Sequence, residues 1–164
     1  MYDLTSEEVL NIVQNTSKKE LATLNLFDLT LVNEEALQST GGVYLFYSLD
    51  NTCLYVGKAT SRSFISRIAS HFDPNPDAWF ATFPNKVLKH QLTTDYTSAL
   101  KFCRSCSLLL LKFNCDRESR KYAKTIETYL RDLLKPTLNS LKHSKNLPLQ
   151  QKLKEHLKSK FPEE

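Results

Sequence analysis

Apolar positions along this chain switch between helical and alternating spacing, and the switches divide it into elements. In residues 5–15, TSEEVLNIVQN, Val9, Ile12 and Val13 form a helical stripe behind a Thr5 or Ser6 cap, with Glu7 and Glu8 at the positive end of the helix dipole. A second short helix is expected after Ser17, where Leu21, Leu24 and Leu26 lead toward an Asn33, Glu34, Glu35 cap before Ala36 and Leu37. The pattern then turns β-rich. Residues 42–48, GVYLFYS, and 52–57, TCLYVG, bracket the turn pair Asp50 and Asn51 and read as a hairpin. Alternation puts Tyr44 and Phe46 on one face and Val43, Leu45 and Tyr47 on the other, and both faces are apolar enough to require a cover.

Helical spacing returns over residues 61–72, where Phe64, Ile65, Ile68, Ala69 and Phe72 define a core-facing stripe. Arg67 and His71, four apart, stack on one flank of that stripe, beside the sheet. Residues 73–104 are interrupted by Pro74, Pro76 and Pro84, so short helices are expected around 85–91 and 95–102, with Trp79, Phe80 and Phe83 requiring burial. Residues 105–113, SCSLLLLKF, supply a third strand. The strongest helical signal is at 117–134, where Tyr122, Ala123, Ile126, Tyr129, Leu130, Leu133 and Leu134 share a stripe stopped by Pro136. Glu127 sits on its edge, in one row with Ala123 and Leu134, while Arg120, Lys124 and Arg131 point to solvent. A carboxylate in that position is costly unless it is paired or bound to a cation. Residues 147–161 read as a last amphipathic helix with Lys152, Lys154, Lys158 and Lys160 on its polar face. The expected fold is α/β of the α+β type, a small three-stranded antiparallel sheet flanked by helices. It divides into a helical N-terminal extension over 1–40, a core domain over 41–140 and a basic helical tail over 141–164.

Length and composition narrow the partners. A chain of 164 residues suits one compact domain with a single core. The longest apolar run, 108–111, is far too short to cross a membrane, and the acidic N-terminus lacks the apolar segment of a secretory signal. An intracellular protein, cytoplasmic or DNA-associated and without a membrane partner, is expected. Cys103 and Cys106 have the spacing of a zinc knuckle, but no second close pair of ligands accompanies them, so the four cysteines read as reduced, partly buried thiols. Charge is distributed unevenly: residues 1–57 hold two Lys or Arg against eight Asp or Glu, whereas residues 58–164 hold twenty against ten. A basic segment of that size makes a polyanion the leading partner, with Lys86, Lys89 and His90 among the exposed candidates for contact.

In order, the chain presents a hairpin with two tyrosines, a helix with Arg67 and His71, a third strand, and a helix with Glu127 closed by KPTLN at Asn139. That order resembles the GIY-YIG nuclease family over residues 41–139. Gly42, Val43 and Tyr44 match the first signature, Tyr55, Val56 and Gly57 the second, Arg67 the helical arginine and Glu127 the glutamate of the late helix. Both signatures carry valine where the family has isoleucine, which keeps a β-branched apolar residue. The acidic prefix, the interrupted stretch 73–104 and the basic tail are departures that the core family does not require.

The resemblance implies a metal-dependent endonuclease that hydrolyses phosphodiester bonds of double-stranded or structured DNA by in-line attack of water. Glu127 would hold one Mg²⁺ or Mn²⁺ by a single carboxylate, with waters and phosphate oxygens completing the shell. Arg67 would stabilise the non-bridging oxygens, and Tyr55 would hydrogen-bond the water or phosphate. Either Tyr44 or His71 would take the proton. For Tyr44 to do so at neutral pH, Arg67, Lys58 and the metal would have to lower its pKa by about three units, about 4 kcal/mol. Lys58, Arg62, Lys86 and Lys89 are the candidate substrate contacts, and Gly42, Gly57 and Asn139 the structural residues. The alternative is a catalytically idle nucleic-acid-binding module of the same fold.

Overall fold

The structure, a computed structural model, describes residues 5–33, 36–39, 41–72, 82–113 and 117–139. Expectations for Trp79, Phe80, Cys115 and the tail over 141–164 fall outside the described residues. A four-stranded antiparallel sheet is flanked on both faces by helices, in the strand order β1, β6, β4, β5. Its centre is the expected hairpin, β4 (Gly41–Tyr47) and β5 (Cys53–Ala59), with β6 (Ser107–Phe113) on the other side of β4. The hairpin turn is held by Asp50, whose carboxylate accepts from the Ser48 and Thr52 hydroxyls, while Asn51 takes a left-handed φ of 65°.

Alternation sorts the two cores. Tyr44, Phe46, Tyr55 and Leu108 project toward a layer made by α2 (Phe64–Ala69), α3 (Thr82–Lys89) and α4 (Tyr96–Arg104), where Phe64, Ile68, Phe83, Val87 and Ala99 are buried. Val43, Leu45, Val56, Leu109 and Leu111 project the other way, against α1 (Ser6–Asn15) and α5 (Arg117–Leu134). Burial of a large apolar side chain contributes about 1.5–3 kcal/mol, so a sheet covered on both faces is the main source of stability here. Helix α1 begins at a reciprocal cap, in which the Thr5 hydroxyl accepts from the Glu8 N–H and the Glu8 carboxylate from the Thr5 N–H.

Two expectations are corrected. Among the described residues the sheet has four strands, not three, because β1 (Lys19–Glu20) pairs with β6 through Lys19 to Leu108 and Glu20 to Ser107. The helix expected after Ser17 is replaced by 3-10 turns at Leu21–Thr23 and Leu26–Leu29, followed by a separate hairpin of β2 (Thr30–Asn33) and β3 (Ala36–Ser39). Asn25 and Asp28 explain the loss of the helix: each backbone N–H donates to the other's side chain, a local pairing that competes with α-helical continuation. Among the described residues no helix is long and apolar enough to cross a membrane.

Two glycines and one asparagine set the hairpin's geometry. Gly42 has a φ of +143°, and a Cβ there would collide with the Leu111 carbonyl on β6. Gly57 lies opposite Tyr44, and a Cβ on it would fall inside the Tyr44 ring and hydroxyl. On the outer edge of β5, Asn139 bonds both backbone groups of Val56: its Oδ1 accepts from the N–H at 2.7 Å and its Nδ2 donates to the carbonyl at 2.8 Å. The Leu138 N–H donates to Leu54 O at 2.8 Å beside it. Replacing Gly57 by alanine should destabilise the protein by about 3 kcal/mol in urea unfolding, through forced overpacking against Tyr44. A change below about 0.5 kcal/mol would mean that the ring is free to step aside.

Candidate active site

A polar cleft of about 360 Å³ opens at the β5 edge, lined by Tyr55, Lys58, Thr60, Ser61, Arg62, Arg67 and Glu127. Strand β5 contributes from both of its faces. Tyr55 projects toward the α2 layer, whereas Lys58, three residues on, projects toward α5 and meets Glu127 in an ion pair through Oε2. Helix α2 brings Arg67 to the near side of the cleft, after Ser63 caps its first turn by accepting from the Ser66 N–H at 3.3 Å. Among the described residues three cations therefore face one carboxylate, a balance of +2.

Behind Arg67 lies a buried network. The Tyr44 hydroxyl is 2.6 Å from His71 Nε2 and accepts from Arg67 Nε at 3.2 Å, with the Tyr55 hydroxyl also in hydrogen-bonding reach. His71, in a 3-10 turn at Ser70–Phe72 that continues α2, is packed among the rings of Tyr44, Phe46, Tyr55 and Phe72. Burial, reinforced by the nearby charges of Arg67 and Lys86, pushes its pKa from 6.5 down to about 3. The imidazole is thus neutral at physiological pH, and its tautomer sets which of Nε2 and the Tyr44 hydroxyl donates across this contact.

Burial also raises the pKa of Tyr44 well above an ordinary phenol, with Tyr55 adding to the rise and Arg67 only partly opposing it. The lowering that Arg67, Lys58 and a metal would together have to produce at Tyr44 is not produced by Arg67 and Lys58 alone. Desolvation outweighs one guanidinium, and the Lys58 ammonium is directed to Glu127. Tyr55 is raised in the same direction by burial, opposed by Arg67. Tyr44 is fully buried while Tyr55 lines the cleft, so Tyr55 is the tyrosine a ligand meets.

Of the other candidates, Arg62 lines the cleft, but Lys86 and Lys89 on α3 do not. Lys86 donates to the Leu138 carbonyl at 3.0 Å and lies 5.3 Å from the Tyr55 ring centroid, tying the Asn139 segment to the site. Arg131, expected to point to solvent, is half-buried and its charge reaches Tyr55; its position four residues after Glu127 was the available signal. Thr60 and Ser61 line the cleft without any pattern that marked them. Cys53, Cys103 and Cys106 are free and buried.

Among the described residues Glu127 is the one carboxylate of the cleft, and no group of three His, Cys, Asp or Glu could enclose a metal. A dehydrated metal cage does not fit these donors. A magnesium-like cation, which keeps several waters and takes one carboxylate plus phosphate oxygens, does.

Comparison with family models, with curated proteins and with solved structures finds no match to this chain. The resemblance drawn from the motifs rests on the residues themselves.

The neutral His71 has a measurable consequence. The unfolded chain binds a proton on His71 below about pH 6.5 and the folded protein only below about pH 3, so stability is lost as pH falls through that window. Between pH 7 and pH 5 the loss from this group is about 2 kcal/mol. His71→Gln should remove that component, seen as a smaller difference between urea midpoints at the two pH values; an unchanged difference would place the proton elsewhere.

Proposed function

We propose that this protein is a GIY-YIG-type endonuclease that hydrolyses phosphodiester bonds of DNA with the help of one divalent cation. The observation that carries this reading is the convergence of Tyr55, Lys58, Arg67 and Glu127 on one positively charged cleft, backed by the Tyr44–His71 pair. Residues 55 to 127 come from three elements with no local reason to meet, and together they offer phosphate donors, a cation ligand and a proton acceptor.

The positive cleft draws the phosphodiester in, and Arg62 and Arg67 bind its oxygens. Arg67 is held by its Nε on Tyr44, so its terminal nitrogens are the donors for the non-bridging oxygens, where charge gathers during attack. Glu127 would hold a magnesium or manganese ion, which when bound would supply charge neutralisation for the reacting phosphate. Tyr55 holds the attacking water. As the water oxygen bonds to phosphorus, its proton passes to the Tyr55 oxygen, the Tyr55 proton to Tyr44 and the Tyr44 proton to His71 Nε2, while the departing oxygen takes a proton from cleft water. This relay gives each group one role: Tyr55 contacts water, Tyr44 transmits, and His71 accepts. A phosphate paired with Arg67 offsets one of the charges that hold His71 down, which makes the imidazole a stronger base when substrate is present.

Incubation of the full chain with plasmid and with Mg²⁺ or Mn²⁺ tests the reading. Glu127→Gln and Arg67→Ala should each lower cleavage by about 10²–10³-fold. Metal-dependent cutting that persists in both variants would remove the assigned roles. Salt-sensitive DNA binding without cutting by the native chain would favour the idle binding module. The acid limb of kcat/KM, which reports the free protein, should fall below pH 5 and not near 6.5, because His71 titrates at about 3.

A further inference from the structure

Among the described residues Glu127 is the one carboxylate in the cleft, and the cation already on it is Lys58, 69 residues earlier in the chain. The two partners differ in freedom. The Lys58 side chain is 32% exposed and the Glu127 side chain 12%, so the lysine is the one placed to leave. Its ammonium is a point charge on a flexible four-carbon stem, whereas Arg67 on the same cleft is tied by Nε to the buried Tyr44. A divalent cation on Glu127 and an ammonium on the same carboxylate would repel each other strongly in so enclosed a site.

We propose that Lys58 is a displaceable counter-ion, holding Glu127 in the free protein and transferring to a phosphate oxygen of the nucleic acid when a divalent cation takes the carboxylate. This rests on the reading of Glu127 as the cation ligand and adds an order to it. Cation alone binds weakly, since it must expel Lys58 with no anion to receive the ammonium. Cation and phosphodiester bind together, since each gives the other's displaced group a partner. Coupling of this kind is reciprocal, so Mn²⁺ strengthens DNA binding by the factor by which DNA strengthens Mn²⁺ binding. The pair also neutralises Glu127 while the cleft is empty, which keeps the carboxylate ordered for the cation.

Calorimetric titration of the full chain with Mn²⁺, with and without a short duplex carrying cleavage-resistant phosphorothioate linkages, tests this without reading activity. For the native chain, duplex should tighten Mn²⁺ binding by about tenfold or more. In Lys58→Met, and in the polar control Lys58→Gln, Mn²⁺ should bind the free protein about tenfold more tightly than it binds the native chain, and the tightening by duplex should shrink to less than about threefold. Native Mn²⁺ affinity in both lysine variants, combined with loss of binding in Glu127→Gln, would overturn the counter-ion role while leaving Glu127 as the ligand. Mn²⁺ binding indifferent to Glu127→Gln, or absent in every form, would overturn the ligand assignment and this proposal together. The coupling measured on the native chain requires no substitution, so a misfolded variant leaves the test standing.

Discussion

The close approach of the Tyr44 ring to Gly57 is the constraint on which the rest depends. The register of β4 and β5 sets these residues opposite each other, and the absence of a side chain at 57 lets the ring lie across the neighbouring strand. Its hydroxyl then reaches Arg67 on α2 and His71 one turn beyond. Everything buried on that face packs around this placement, including Phe46 stacked on Phe83 with centroids 4.2 Å apart. A side chain at 57 would displace the ring, the network and the helix together.

Two electrostatic regimes meet at Arg67. Behind it, Tyr44 is neutral because burial penalises a phenolate more than one guanidinium can offset, and His71 is neutral because burial and that same guanidinium both disfavour an imidazolium. In front of it, Lys58, Arg62 and Glu127 line the cleft, with Lys58 paired to Glu127. The border explains why a single arginine serves both sides: its delocalised fork spans a hydrogen bond to an apolar interior and an anion site at the surface. A lysine would offer one charge to one side.

Where an element carries its own periodicity, the chain could be read directly. The hairpin, the division of Tyr44 and Phe46 from Val43 and Leu45, the flank shared by Arg67 and His71, and the helix at Arg117–Leu134 all follow from spacing, because burial imposes it. Strand β1 was invisible, since two residues joined by backbone bonds leave no side-chain pattern. The leucines after Ser17 suggested a helix because the bonds that stop one, between Asn25 and Asp28, are local and polar. Site electrostatics were less legible than site membership. Alternation says which way Tyr44 faces but not how deep it lies, and depth decides its pKa. The pairing of Lys58 with Glu127 and of Lys86 with Leu138 joins distant segments, and only the assembled fold brings them together.

Strand β5 ends the sheet, and an unpaired strand edge invites a second chain to add itself. The Asn139 amide presents one acceptor and one donor to Val56, the same pair of groups a neighbouring backbone would offer. That side chain, with the Leu138 N–H on Leu54 O beside it, thus stands in for a missing strand and blocks sheet extension between molecules over this part of the edge. It does so without the bulk of a strand, leaving the far end of the same edge, around Lys58, clear for a ligand to approach.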